Sequence, residues 1–515
     1  MGGMGDQRRS TMTLDPAHCY QAVLSRDRRL DGRFFAGVVT TGVYCRPICP
    51  VKPAKPQNVR WFACAAAAEA AGFRPCRRCR PETAPGTPAW TGTSAVVSRA
   101  LRLIAAGALD DGAMEGFASR LGVGTRQLRR LFGTHLGASP MQVARARRVH
   151  FARALIDETD LPMAEVAFAA GFGSVRDFNY AVRATFGRSP TELRRARGAR
   201  SPRADGAGLA VRLPYRPPLD WSGLLAFLAP RATPGVEAVA DGVYRRTIAV
   251  GDARGTIEVR AAPREPHLLM RVRLARAERL LQVVEHVRRL FDLDADPALI
   301  ANHLARSRVL APLVARRRGL RVPGAWDGFE LAVRAVLGQQ VTVRGATTLA
   351  GRVVRAFGTP LDQAQDGLTH LFPQPEALAD ADLAAIGLPR ARAATIRALA
   401  AAVARGDLVL EASRGLEDAV ARLVAIPGIG TWTAQYVAMR ALGEPDAFPA
   451  GDLGLRRALA NGAGPLPPAR VAELAEAWRP WRAYAALHLW TGLAGERGYA
   501  ENGMFRARHT AVASS

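Results

Sequence analysis

Two short stretches of the chain hold thiols at metal-ligand spacing. Cys45 and Cys49 stand four positions apart in TTGVYCRPICP, and Cys76 and Cys79 three apart in GFRPCRRCRP. Four thiolates in two tight pairs can close one tetrahedral shell, so a single Zn2+ is the expected cofactor. Spacing alone favours a closed structural zinc that staples a small domain with little core. Cys19 and Cys64 lie outside the pairs and read as packed thiols. Near the other end, LVAIPGIGTWTAQYVAMRAL at 423–442 reads as helix, tight turn, helix. Gly428 and Gly430 would let the turn's amides point outward at the start of a new helix, where a phosphate can bind without a charged side chain. A glycine turn between helices is usually only a connection. Here, though, Asp452 follows 22 residues after Gly430 in FPAGDLGLRRAL. An aspartate taken in isolation is a solvated residue or a helix N-cap.

The elements that must position these groups make up more than one domain. At 515 residues and 49% apolar content the chain exceeds a single hydrophobic core, and its net charge of +26 makes a polyanion, nucleic acid first, the expected partner. Nearly all of the excess is arginine, since Lys52 and Lys55 are the only lysines, so no single surface arginine carries weight. The N-terminus has no signal-peptide core and no uncharged apolar run reaches 18 residues, so the expectation is a cytosolic, soluble chain without a membrane partner. Linkers are expected at 81–92 and 198–208, where Pro, Gly and small polar residues cluster, with a softer boundary at 318–330. Strand-like alternation covers 243–274, a helix 276–291, and an Ala-rich helical region follows. The last dozen residues are expected to fray. Within 113–195, AMEGFASRLGVGTRQLRRLFGTHLGASP and MAEVAFAAGFGSVRDFNYAVRATFGRSP repeat one layout of helix, turn and helix. Phe117, Leu121, Leu128 and Phe132 in the first unit, and Val166, Phe168, Phe178 and Phe186 in the second, are the expected packing faces; Ser174 is the expected N-cap and Gly124 its weaker counterpart.

Three resemblances rest on these residues. DGRFFAGVVTTGVYCRPICP with AAGFRPCRRCRP resembles the zinc-binding domain of the Ada adaptive-response family over about residues 14–82. That resemblance implies that Cys45, besides ligating zinc, accepts a methyl group from a DNA methylphosphotriester. Zinc would keep the sulfur a thiolate and nucleophilic. A four-thiolate centre carries about −2, and methylation brings it to about −1, which weakens repulsion from the DNA backbone. The zinc is therefore expected to be both structural and activating. The tandem over about 94–197 resembles an AraC-type DNA-binding domain, which implies a second helix of each unit in the major groove, with Arg126, Gln127 and Arg130, then Arg176, Asn179 and Arg183, as the reading residues. From about 209 to 493, LPYRPPLDWSGLLAFLAPRATPGVEAV, GFELAVRAVLGQQVTV, the hairpin and RPWRAYAALHLW resemble AlkA-type glycosylases of the helix-hairpin-helix superfamily. That implies Asp452 as the catalytic carboxylate, Trp432, Tyr436 and Trp490 as an aromatic pocket for the damaged base, and Gln340 as the group filling the gap left by the flipped base.

The residue types suit the chemistry: an alkylated purine is cationic and already a weakened leaving group, so electron-rich rings and one carboxylate suffice. The hairpin block lacks the lysine a Schiff-base lyase needs, with Trp432 at that place, which points to a monofunctional enzyme. Gln340 replaces the apolar wedge of the family type. Gly451 stands where the type has a second aspartate, and the missing charge is expected to leave Asp452 with a lower pKa. No Pro-Cys-His-Arg stretch occurs, so direct reversal of alkylguanine is not expected. The expected fold is multidomain and mainly α: a small zinc-bound α+β domain (1–90), an all-α tandem helix-turn-helix (91–200), an α+β domain (208–320) and an all-α helix-hairpin-helix glycosylase domain (321–505). The expected function combines excision of 3-methyladenine and related bases with a methylation-activated regulator. Damaged duplex DNA, promoter DNA and RNA polymerase are the expected partners, the chain is expected to be a monomer, and no organic cofactor is expected. A regulator or damage-binding protein with an inactive glycosylase half is the alternative.

Overall fold

The computed structural model describes residues 14–85, 95–110, 113–197, 208–274, 276–411, 415–460 and 464–496. Residues 198–207 of one expected linker, 86–92 of the other and the C-terminal dozen lie outside them.

The front unit opens with helix Pro16–Ser25, N-capped by Asp15, and builds a four-stranded sheet in the order Val59–Phe62, Phe35–Val38, Val43–Cys45, Arg74–Pro75. The last pair is parallel, with Tyr44 opposite Pro75. Phe35, Tyr44, Phe62 and Phe73 do not form a separate core: they join Leu128, Phe132 and Leu136 of the following helices in one apolar cluster. The first residues of the 81–92 stretch are likewise not a free linker. Pro81–Thr83 form a 3-10 turn in which Glu82, together with Arg80, meets Arg153 and Asp157 of helix Pro140–Glu158.

The repeated layout appears as helices Met114–Arg120 and Thr125–Leu136, then Met163–Ala169 and Val175–Phe186. Each unit closes into a helix begun by a Ser-Pro capping box, at Ser139 with Gln142 and at Ser189 with Glu192. Ser174 accepts from the Asp177 amide at 3.1 Å as the N-cap, whereas Gly124 makes no side-chain cap bond. Of the expected packing residues, Phe168 is the exception: it is 39% exposed. Val166 faces the core, and a residue two positions further along a helix points to nearly the opposite side.

The third unit is a five-stranded antiparallel sheet in the order Leu209–Pro214, His267–Leu274, Ala253–Ala261, Val243–Val250, Glu237–Ala240, packed on helices Trp221–Leu228 and Leu280–Leu290. Its core continues through Val149, Leu155, Val166 and Phe178 of the preceding unit. The last unit is helical, and a strand pair absent from the sequence reading, Thr359–Gln365 with Leu368–Leu371, interrupts it. Its core already includes Ile300 and Leu304 of helix Pro297–Leu304 and Val314 of Ala311–Arg316.

Candidate functional site

In the front unit, local pairing assembles the thiols. Cys45 ends strand Val43–Cys45, Cys49 follows in the next turn, and the Cys76 amide donates to Tyr44 O at 3.0 Å, which brings the second pair beside the first. The four sulfurs of Cys45, Cys49, Cys76 and Cys79 lie within 4.8 Å of one another. Soft anionic donors clustered at that distance fit Zn2+. Cys49, Cys76 and Cys79 are buried, while Cys45 is half-buried, with more accessible surface than the other three. The Arg46 amide donates to Cys79 Sγ at 3.4 Å. The Arg46 guanidinium is fixed by Asp31, by Cys79 O at 3.1 Å and by Thr83 Oγ1 at 2.7 Å. Cys19 and Cys64 are packed thiols as expected, each pushed up to about 11 mainly by burial.

The candidate reading residues Arg126, Gln127 and Arg130 on Thr125–Leu136, and Arg176, Asn179 and Arg183 on Val175–Phe186, are all exposed. Helix burial of Leu128, Phe132, Phe178 and Val182 sends them outward.

In the helical unit the hairpin consists of Leu416–Val424 and Thr431–Arg440. Gly428 has φ +89°, and a Cβ there would lie 1.9 Å from Thr395 Oγ1, so the turn requires glycine twice over. At Gly430 φ is −85° and a Cβ would meet open space. It serves as an N-cap without a side chain, leaving the first-turn amides of Thr431–Arg440 open.

Asp452 is 1% exposed and caps helix Leu453–Ala458. Oδ1 accepts from the Leu455 amide at 3.0 Å and Trp490 Nε1 at 2.9 Å; Oδ2 accepts from Trp432 Nε1 at 3.1 Å. The N-cap role and the candidate catalytic role therefore fall on one carboxylate. Its pKa is raised, because burial outweighs these donors, and the lowering expected from Gly451 does not decide it. Trp432 stacks on Tyr436 with centroids 5.3 Å apart and 11° between planes, and Trp490 lies 6.5 Å from Tyr436 at 58°. The three aromatics and the carboxylate thus converge, although they span 58 residues from Trp432 to Trp490.

Sequence reasoning missed the groups behind this pocket. Arg440 Nη1 donates to Tyr436 Oη at 2.8 Å, and the Arg440 and Arg231 guanidinia lie 5.0 and 4.0 Å from the Phe227 ring centroid. Burial alone would raise the Tyr436 pKa, but Arg440 and Arg231 overcome it and lower it. Arg440 is four residues after Tyr436 on one helix, the spacing that could have flagged it. Gln340 sits exposed at the turn between Gly328–Leu337 and Val343–Phe357 with φ +58°, a conformation that a non-glycine residue adopts at a cost. Its neighbour Gln339 ties that turn to the hairpin, donating to Gly428 O at 3.1 Å and Thr433 Oγ1 at 3.2 Å, while Arg392 donates to Gln339 O at 2.6 Å.

Four family profiles match in succession: the metal binding domain of Ada at 18–82, a helix-turn-helix domain at 117–196, the AlkA N-terminal domain at 210–327 and the HhH-GPD superfamily base excision DNA repair protein at 333–483. The probable bifunctional transcriptional activator/DNA repair enzyme AlkA of Mycobacterium tuberculosis is 46% identical over 481 residues, covering 93% of this chain and 97% of its own. The chain belongs to this bifunctional AlkA family. Two partial relatives divide this AlkA-family chain between them. DNA-3-methyladenine glycosylase 2 of Escherichia coli is 38% identical over 283 residues, 54% of this chain and 95% of its own. The bifunctional transcriptional activator/DNA repair enzyme Ada of Escherichia coli is 38% identical over 133 residues, 25% of this chain and 36% of its own. An Ada-type regulatory front and a glycosylase-type back are thus joined in one multidomain, mainly α chain. Among the described residues no helix is long and apolar enough to cross a membrane.

Proposed function

We propose that the back half is a monofunctional DNA-3-methyladenine glycosylase with Asp452 as its catalytic carboxylate. The observation that carries this reading is the convergence on Asp452 of Trp432 and Trp490, with Tyr436 stacked behind. Electron-rich rings hold a cationic purine. As the bond from the base nitrogen to the sugar carbon breaks, its electron pair leaves with the base. The carboxylate stabilises the oxocarbenium-like sugar and orients the water whose oxygen takes the vacated position, the water's proton passing to the carboxylate or to solvent. The indole donors hold the carboxylate in place, and Gln340 fills the gap in the stack. Open amides after Gly428 and Gly430 receive a backbone phosphate.

The front half accepts a methyl group on Cys45, a reading supported by the greater exposure of that ligand. Bound zinc would keep the thiolates deprotonated. The sulfur attacks the methyl carbon, the carbon–oxygen bond breaks, and its electron pair stays on the phosphate. Loss of one negative charge favours DNA binding through Arg126, Gln127, Arg130, Arg176, Asn179 and Arg183, and promoter binding places the chain to recruit RNA polymerase. The chain acts in the cytosol as a monomer, in units bounded near 90, 200 and 320.

Release of free base from methylated duplex DNA, comparing the wild type with Asp452→Asn, tests the enzyme. We expect a fall of about a thousandfold in the variant. Equal release by both would remove Asp452 from catalysis, and none from either would leave a damage-binding or regulatory module. Intact-mass measurement after exposure to methylphosphotriester DNA should show one methyl gained by the wild type and none by Cys45→Ser.

A further inference from the structure

The helix Thr431–Arg440 carries Trp432 and Tyr436 near its start and Arg440 at its end, and the turn at 441–444 that follows folds back on its last carbonyls. A residue of the DNA-reading half holds that turn. Arg102, in the last turn of Ala95–Ala105, donates from Nη1 to Leu442 O at 2.9 Å and Gly443 O at 2.5 Å, and from Nη2 to Glu444 Oε1 at 2.9 Å. A guanidinium at this end also complements the negative pole of the helix. The receiving segment is shaped for it. Gly443 has φ +62°, a Cβ there would lie 3.2 Å from Arg102 Nη1, and the Glu444 amide turns back to Ala438 O at 3.0 Å. Both side chains of the ion pair are mostly buried, at 15% and 6% exposure.

This contact belongs to a wider seam. Arg147 donates to Glu285 at 3.0 Å while its second nitrogen meets Ile104 O at 3.2 Å, which ties the helix bearing Arg102 to the sheet unit. Arg33 of the zinc unit pairs with Asp296. The apolar core beneath runs without a break from Val149 and Phe178 into Val211 and Ile257.

We propose that Arg102 is a positioning residue for base excision, contributed by the regulatory half to the hairpin helix of the glycosylase half. It rests on the excision reading above. Removing the guanidinium frees the carbonyls that follow the helix and loosens the turn holding Arg440. Arg440 in turn donates to Tyr436 Oη, Pro323 O and Gly324 O, so the disturbance reaches the aromatic pocket without touching the DNA-facing end.

The test uses the full-length zinc-loaded chain: single-turnover release of 3-methyladenine from methylated duplex, with amide hydrogen exchange across 431–444. Arg102→Ala should slow the single-turnover rate by about fivefold, with the half-saturating DNA concentration changed by less than about twofold, and should speed exchange at 437–444. Arg102→Lys, which keeps the charge but not the fork, should fall between the two, about twofold to threefold below wild type. Arg120→Ala, which breaks the half-exposed pair with Glu411, should change neither readout. Wild-type rate and exchange in Arg102→Ala, or a loss confined to DNA affinity, would overturn the proposal. If the wild type released no base, the excision reading would fail, and unchanged exchange at 437–444 would then reject the positioning role independently.

Discussion

The thiol cluster and the pocket around Asp452 hold their candidate reactive groups by opposite means. The four thiols span only Cys45 to Cys79, are held by turns and one parallel strand pair, and leave Cys45, the proposed acceptor, half-buried. Asp452 is 1% exposed inside the largest apolar cluster of the described residues, held by indoles from two helices. Where a domain has little core, a metal both replaces the core and sets the reactivity; where the core is large, burial and hydrogen bonds do so. The front site should therefore fail all at once when its metal is lost, and the back site should degrade one contact at a time.

The largest expected effect breaks the comparison if it spreads. Cys76→Ser should abolish zinc content by elemental analysis and unfold the front unit, while base release falls by no more than the roughly fivefold assigned to Arg102, because Asp452 and its partners belong to a separate core. Abolished release would mean that the two sites share one cooperative unit.

Next in size is a backbone effect within the hairpin. Gly428→Ala should destabilise the helical unit by about 3 kcal/mol, since it combines a left-handed φ with a clash at Thr395. Gly430→Ala should cost less than about 1 kcal/mol, the change being confined to an N-cap. Thermal melts compare the two, and equal losses would show that the turn relaxes around either side chain.

A smaller loss sharpens the picture of the pocket. Trp432→Phe keeps an aromatic face on Tyr436 but removes the indole donor to Asp452, and should slow single-turnover release by about tenfold with little change in zinc content. An unchanged rate would leave Trp490 and the Leu455 amide as the sufficient anchors.

The mildest prediction concerns pH. Burial raises the Asp452 pKa, and the reaction needs the carboxylate, so base release should decline at a higher pH than an ordinary aspartate would set. The stability term has the opposite sense. A raised folded pKa means that burial of the charge costs stability above that pKa, and the cost is relieved as pH falls through it. Asp452→Asn removes that buried charge but keeps only one acceptor oxygen, setting an amide NH2 against an indole N–H, so its stability at neutral pH should stay within about 1 kcal/mol of the wild type. A pH–rate profile and a urea titration of the pair check both signs, and an acidic limb at the ordinary aspartate position would contradict the burial.

Much of this was legible along the chain. Thiol spacing carries its own geometry because both pairs are local, and alternation at 243–274 marks strands because its period survives any packing. The tandem helices were legible for the same reason, and with them the outward direction of Arg126 and Arg176. Phe168 was misplaced because an apolar residue in a seven-residue helix can lie off the buried stripe. Arg231, Phe227 and Gln339 carry no local pattern at all: they reach the pocket from a different helix, a 3-10 turn or the neighbouring loop.

The sequence by itself determined the metal donor set, the repeated helix pairs, the hairpin followed by an aspartate, and the order of units, since each depends on residue type and on spacings of a few turns or strands. Only the tertiary structure decided that Asp452 is buried between two indoles with a raised pKa, that Tyr436 rests on guanidinia, and that Arg102 of one half meets Leu442 and Gly443 of the other. Burial, a pKa and a contact across 340 residues depend on distances that close only when separate cores pack together.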